Sequence, residues 1–360
     1  RGFNVKLAEE AKSLIKIPVI TVGRIQEPTM CEDIIASGKA DFVGMARGSL
    51  ADPHFPSKVK NGQIQDIRQC IGCLQCAAST YLAVPIWCTV NPELGFEYIT
   101  DYSKAPVSKK VFIAGGGVAG MQAARGAAIK GHEVHLYETR DFLGGQFVSA
   151  AYPPYKGDFA SYVGWLIRDI KKLGVNIHLN TELTADIVKA EKPDKVILAT
   201  GAKAIIPDLP GIDGPNVVLA EDILLGNVDQ AMNILVAGGG MIGSETAAFL
   251  STHCKDKVTV IEALPEIATD MDTGIREDMK ELLNRNFVEI LTGTKLAGVN
   301  EKGALIEKGG EVRLYPCEQV VLAIGTRSYN PLEEQLKGVC ETVVVGDAIE
   351  PRLALKASRE

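Results

Sequence analysis

The sequence predicts an α/β protein in three successive parts. These are the C-terminal end of a (β/α)8 barrel, a cysteine-rich cluster loop, and two nested Rossmann-like dinucleotide-binding domains. Three observations predict it. Helix and apolar strand alternate over the first sixty residues. Four cysteines, Cys70, Cys73, Cys76 and Cys88, follow at metal-ligand spacing. Two glycine-rich strand–turn–helix fingerprints come next, opening at Gly115 and Gly238, each closed by an acid. The expected boundaries are 1–62 for the barrel end and 63–106 for the cluster segment. The first dinucleotide domain is expected over 107–213 and 326–360, with the second inserted at 214–325.

Bulk properties narrow the class. At 360 residues the chain is long enough for several cores. A net charge of −7 argues against a nucleic-acid surface. No stretch reaches the ~18 uncharged apolar residues of a membrane span, and no signal peptide is visible, so no membrane is expected and the chain reads as cytoplasmic. It starts at Arg1 and stops at Glu360 in what read as partial elements; both ends are expected to be cut. Of eight cysteines, four cluster and four stand singly, Cys31, Cys254, Cys317 and Cys340. The single ones read as apolar filler.

Val5 to Ile15 has helical spacing. Residues 17–23 (IPVITVG) read as a buried strand, and a helix follows with Pro28 in its first turn and Ile34 and Ile35 facing inward. Residues 40–47 (ADFVGMAR) read as a second buried strand. Both strands end in glycine plus a basic residue, Gly23-Arg24 and Gly44-x-x-Arg47. Barrels of this kind commonly hold a phosphate after their last two strands, where bare amides and an arginine fork suit it. Two generic βα loops with surface arginines would look the same.

The cysteine spacing calls for four thiolates on one metal centre. Zinc sites usually come as two Cys-x-x-Cys pairs; three cysteines together and one apart favour a cubane [4Fe–4S] cluster, with zinc left open.

Lys109 to Glu138 holds a strand, Gly115-x-Gly117-x-x-Gly120, an alanine-rich helix, a second strand and Glu138. This is the dinucleotide fingerprint in full context: glycines for a tight turn and close approach of the pyrophosphate to a helix N-terminus, an acid for the ribose. Asn233 to Glu262 repeats it with Gly238, Gly240, Gly243 and Glu262. VILATG at 196–201 recurs as VVLAIG at 320–325. Two homologous domains, one nested in the other, is the organisation of FAD/NAD reductases, with FAD expected first and nicotinamide in the insert. Glu262 suits a ribose hydroxyl and repels a 2′-phosphate, which favours NADH. Gly145 and Gln146 in LGGQ, and Asp347 in the late Gly346-Asp347, match flavoprotein positions near FAD. A plain turn and a turn aspartate fit the same residues. No Cys-x-x-Cys or Cys-x4-Cys lies between Lys109 and Glu360, so disulfide-reductase chemistry is excluded as far as sequence can exclude it.

VGRI, then DFVGMAR-x-x-LADP, then CIGC with two further cysteines and both fingerprints resemble the iron–sulfur branch of the old yellow enzyme family. That branch includes 2,4-dienoyl-CoA, enoate and bile-acid-inducible reductases and trimethylamine dehydrogenase. The resemblance implies that Gly23, Arg24, Gly44 and Arg47 grip an FMN phosphate, with Ala46 where many relatives have glycine. It implies that Cys70, Cys73, Cys76 and Cys88 hold [4Fe–4S], and that electrons pass from NADH to FAD, cluster and FMN to reduce an activated C=C bond (enoyl-CoA, enoate or enone). The partner would be a small unsaturated substrate; homo-oligomerisation is left open. The proton donor would sit in barrel strands absent from this sequence, so the catalytic residues are unknown. His54 reads as a solvated loop histidine. An amine dehydrogenase of the trimethylamine dehydrogenase type, and a non-catalytic FAD-binding fragment, are the competing readings.

Overall fold

The computed structural model describes residues 1–253 and 257–359; Cys254 lies outside them. Two five-stranded, all-parallel sheets organise the chain. The first runs in the order Thr342–Val344, Lys195–Leu198, Lys110–Ala114, Glu133–Tyr137, Asn176–His178. The second runs Val217–Leu219, Gln319–Leu322, Asn233–Ala237, Lys257–Glu262, Glu289–Thr292. Four of the five strands correspond in position and sequence rank, while the edge strand comes last in sequence in the first sheet and first in the second; the internal repeat of the sequence is a repeat of topology over those four strands. All strands of the second sheet lie in sequence between strands of the first, which is the nesting that the repeat predicts. An antiparallel pair, Ala202–Ala204 with Thr326–Ser328, carries the chain out and back.

Parallel strands are buried on both faces and read as continuous apolar runs. Val111, Phe112, Ile113 and Ala114 are all buried, as are Ile234 to Ala237. The first sheet is covered on one face by helices Val118–Ile129 and Asp158–Lys172, around Ile113, Met121, Leu136 and Leu166. In the second of these helices Tyr162, Val163, Trp165, Leu166 and Ile170 point inward at helical spacing. The second sheet packs one face on helix Met241–His253. The other lies on a three-stranded antiparallel meander, Thr294–Asn300, Gly303–Lys308 and Glu311–Pro316. The Gly309-Gly310 turn, at φ 64° and 85°, closes its second hairpin in the way two-residue hairpins require.

The barrel end departs from expectation. Its two strands pair in parallel but are two residues long, Ile20–Thr21 and Phe42–Val43. They are not buried strands: Ile17, Ile20 and Phe42 are 70%, 63% and 56% exposed. Ile35, expected inside, is also exposed. Its own core is small, built from Ile25, Ile34 and Ala40 with Val5, Ala8, Met30, Cys31 and Val43 against it. The physical reason is that a two-stranded sheet has no second layer to cover its outer face. The segment is tied on elsewhere. Ala51 joins the core of the first sheet, Asp52 accepts the Arg68 amide at 2.8 Å, and Asn91 donates to the Leu50 carbonyl at 2.8 Å. His54 is exposed beside helix Phe55–Lys60. Of the single cysteines, Cys317 is buried, while Cys31 and Cys340 are half-buried.

One edge of the first sheet carries a stacked histidine pair. His135 and His178 stack at 5.3 Å, with Nδ1 of His135 3.1 Å from Nε2 of His178 and Glu133 on the far nitrogen of His135 at 2.9 Å. Burial, then the neighbouring His135, pushes His178 below the ordinary histidine value. The folded state thus binds its proton less readily than the unfolded one. The contribution is complete above the ordinary value of about 6.5 and is lost as pH falls through it. Thermal unfolding followed from pH 7.5 to 5 should show a falling midpoint, and His178→Gln should flatten that fall. An unchanged slope in the variant would remove His178 from the account.

Candidate functional site

The cysteine segment packs on the first sheet's core, with Cys70, Cys73 and Cys88 against it. After Cys73 the chain turns through Leu74 in left-handed backbone (φ 60°) and enters helix Gln75–Tyr81, which places Cys76 in its first turn. The Gly72 amide donates to the Cys70 sulfur at 3.4 Å, and Thr89 Oγ1 lies 3.3 Å from that of Cys73. Burial raises the Cys70, Cys76 and Cys88 thiols, the last to about 11, while the backbone at Val90 and Asn91 favours its thiolate. The thiols also raise one another: Cys73 acts on all three, Cys76 on Cys70, and Cys70 on Cys88. The Arg47 guanidinium opposes the rise at Cys70 and Cys76. Cys70, Cys76 and Cys88 thus all lie within electrostatic reach of Cys73. Among the described residues, however, no three His, Cys, Asp or Glu side chains close on a point as ligands of a metal ion.

Both phosphate-type arginines face this segment. Arg47 opens helix Arg47–Ala51. Arg24 stands in left-handed backbone (φ 55°) after Gly23 (φ 140°), and its Nη2 donates to Asp158 Oδ2 at 2.6 Å. Its buried Nε has no partner among the described residues. The expectation of bare glycine amides is corrected at one position: the Gly44 amide donates to the Thr21 carbonyl at 2.8 Å, because the two strands pair there.

The first glycine loop is shaped by contacts that only glycine tolerates. Gly115 has φ 105°, and a Cβ there would stand 2.2 Å from the Ala199 carbonyl oxygen; one at Gly120 would stand 1.9 Å from that of Gly115. A Cβ at Gly117 would meet nothing within 4 Å, so the helix N-terminus faces open space of the kind an anion fills. Glu138 is buried; its Oε2 accepts the Gly116 amide at 2.7 Å and its Oε1 the Arg140 amide at 2.9 Å. Gly144 and Gly145 close over the loop, the Gly144 amide reaching the Gly116 carbonyl at 2.9 Å. Gln146 donates to Ala202 O at 2.9 Å. Gly346, next to Asp347, abuts Ala119 in the helix's first turn. The structure thus gathers Gly115, Gly117, Gly120 and Glu138 around one helix start, with Gly145 and Gly346 packed against it and Gln146 and Asp347 next to these two in sequence.

The second loop repeats the first. Gly238 has φ 105°, and Gly243 would clash with the Gly238 carbonyl at 1.8 Å. Glu262 takes the Gly239 amide on Oε2 at 2.7 Å and the Leu264 amide on Oε1 at 2.8 Å. One difference went unseen in the sequence. Asp270 accepts the Met241 amide with both oxygens, at 2.8 and 3.0 Å, and stands over Gly240. A carboxylate of the chain itself sits at the helix N-terminus. Glu245, whose carboxyl burial raises, pairs with Lys156 from the first domain. Long-range pairs of this sort have no motif.

Residues 109–343 match the profile of the pyridine nucleotide-disulphide oxidoreductases, and residues 3–66 that of the NADH:flavin oxidoreductase / NADH oxidase family. An NADH oxidase of Thermoanaerobacter brockii is 40% identical over 361 residues, covering 97% of this chain and 55% of that protein. A cinnamate reductase of Clostridium sporogenes is 31% identical over 97% of this chain and 53% of that protein. A 2-naphthoyl-CoA reductase, solved with 2-naphthoyl-CoA, superposes with a TM-score of 0.94 at 31% identity, over 99% of this chain and 55% of that one. The chain therefore spans about half the length of the relatives it matches. Among the described residues no helix is long and apolar enough to cross a membrane. The two profiles in this order, over this pair of nested sheets, place the chain in the pyridine nucleotide-disulphide oxidoreductase family, with the sequence and fold of an old yellow enzyme-type flavoprotein.

Proposed function

We propose that the chain belongs to an NADH-dependent flavin and iron–sulfur oxidoreductase that reduces an activated C=C bond of an enoyl-CoA, enoate or enone. One observation carries this reading: the four cysteines lie in one segment between the barrel end and the first sheet, with Cys70, Cys73 and Cys88 packed against the core of that sheet. Cys70, Cys73, Cys76 and Cys88 would hold [4Fe–4S], whose irons sit at separate corners. Three cysteines together and one apart suit it better than a single zinc, whose four-cysteine sites usually come as two Cys-x-x-Cys pairs. Buried thiols are stabilised as thiolates by bound metal, and Arg47 adds a positive charge. Gly115, Gly117, Gly120, Glu138, Gly145, Gln146 and Asp347 would hold FAD, and Gly23, Arg24 and Arg47 an FMN phosphate. When bound, the cluster supplies one-electron transfer between two flavins that each handle electron pairs. The similarity to a cinnamate reductase and to a 2-naphthoyl-CoA reductase favours the C=C class over amine oxidation. Purified anaerobically, the full-length protein should carry iron, FAD and FMN, and should couple NADH oxidation to reduction of cinnamate or an enoyl-CoA. Oxidation of dimethylamine instead, or flavin without turnover, would overturn the reading.

The nicotinamide site gives a paired prediction of opposite signs. Glu262→Gln should weaken NADH about tenfold by loosening the ribose contact and the Gly239 turn, with NADPH relatively favoured. Asp270→Asn should tighten NADH several-fold, because it removes a like charge from the place the pyrophosphate takes. Stopped-flow flavin reduction measures both; a wild-type preference for NADPH, or weaker NADH binding in Asp270→Asn, would contradict this assignment.

A further inference from the structure

We propose that Asp158 is the positioning residue for Arg24, and that through it the first dinucleotide domain presets the phosphate grip of the barrel end. The proposal rests on the reading of Arg24 as an FMN-phosphate ligand.

Arg24 is held from three directions. Its own backbone is left-handed, at φ 55°, a conformation that a side chain makes costly and that the surroundings must enforce. Its Nη2 donates to Asp158 Oδ2 at 2.6 Å, a contact that spans 134 residues and joins the barrel end to the first turn of helix Asp158–Lys172. Its guanidinium lies against Gly72, between two of the cysteines. A Cβ at Gly72, where φ is 69°, would stand 2.7 Å from Nη2 and 3.1 Å from Cζ. The cysteine loop therefore has no side chain where the guanidinium passes.

Asp158 is itself fixed. Arg1 Nη2 donates to its other oxygen at 2.5 Å, and Arg1 also pairs with Glu27. The four groups alternate in sign, Glu27, Arg1, Asp158, Arg24, and the Asp158 side chain is only 18% exposed. One donor of Arg24 is thus occupied, whereas Nε is buried without an acceptor among the described residues. A guanidinium has five N–H donors in a rigid plane, so fixing one donor orients the rest. The same contact withdraws part of the positive charge from a phosphate. Orientation and charge act in opposite directions on phosphate binding, and the sign of the change in FMN affinity on losing Asp158 decides between them.

The probes are FMN and riboflavin, which share a ring system and differ in the phosphate. Both are titrated by fluorescence quenching into the full-length, FAD-loaded protein stripped of FMN, with FAD content checked in each sample. Asp158→Asn should weaken FMN about tenfold, the worth of one charge-assisted hydrogen bond, and should leave riboflavin unchanged. Combined with Arg24→Gln, it should add little to the loss that Arg24→Gln causes alone, since both act through one contact. FMN affinity that is unchanged or higher in Asp158→Asn, parallel loss of FMN and riboflavin, or full additivity of the two substitutions would each overturn the positioning role. If the unaltered protein binds riboflavin as tightly as FMN, the phosphate reading of Arg24 fails first, and the proposal with it.

Discussion

Cys73→Ala should strip the protein of iron while leaving FAD in place. Cys73 stands within electrostatic reach of Cys70, Cys76 and Cys88. It packs with Cys70 and Cys88 against the core of the first sheet, but the first glycine loop makes its own contacts, with Ala199 and Gly115. Loss of one cluster ligand should therefore not reach the flavin. NADH-dependent reduction of an artificial acceptor at FAD should stay within about twofold, whereas reduction of an unsaturated substrate should fall ~100-fold or more, as is typical when a metal centre loses its support. Cys31→Ala, in the separate barrel-end core, is the matched control and should retain iron. Metal analysis and the visible spectrum after anaerobic purification read the result directly. Full iron content in Cys73→Ala, or stoichiometric zinc without iron in the unaltered protein, would remove the cluster from this site.

The two alanine substitutions of the first glycine loop should separate folding from binding. In Gly120→Ala the new methyl falls 1.9 Å from the Gly115 carbonyl oxygen and 3.4 Å from the Ala199 side chain. The nearer atom is backbone and cannot swing away, so helix and strand must part. Overpacking of this kind costs about 1–3 kcal/mol or more, and both the unfolding midpoint and FAD binding should fall. Gly117→Ala differs: φ is −72°, an ordinary value, and the methyl meets nothing within 4 Å. The apoprotein should keep its stability within about 0.5 kcal/mol, as surface substitutions do. FAD should nevertheless bind ~100-fold more weakly, because the methyl occupies the space before the helix N-terminus where a pyrophosphate is expected. Thermal unfolding of the apoprotein beside FAD titration separates the two effects. Undiminished FAD affinity in Gly117→Ala would mean that the open space at this loop is not the pyrophosphate cradle.

Much of this molecule was legible in its sequence, and the legible parts share a cause. Gly115, Gly120, Gly238 and Gly243 announce their loops because each must be glycine to let one backbone touch another, a demand set by neighbours a few residues or one strand away. Glu138 and Glu262 are found by their distance from those glycines, and both accept the loop amide at 2.7 Å. The apolar runs at Val111–Ala114 and Ile234–Ala237 are buried strands because parallel sheets cover both faces. The repeat at 196 and 320 is a repeat of strand order. What local spacing dictates, the sequence by itself determined.

The remainder was decided by approach in three dimensions. Residues 17–23 and 40–47 have the composition of buried strands, yet only two residues of each pair, because strand length and burial depend on the layers available to cover them. Arg24 was read for a phosphate from its place after Gly23; that Asp158 would meet it depends on how a helix 134 residues away is docked. Asp270 carries no motif, and its carboxylate reaches the Met241 amide only because the chain after Glu262 folds back over Gly240. The cysteines were legible as a set, but their burial against the first sheet, and the neighbourhood of Arg47, belong to the packed molecule. Side-chain pairs between distant segments leave no periodicity in a sequence, since their energy comes from proximity that exists only once the cores of both domains have formed.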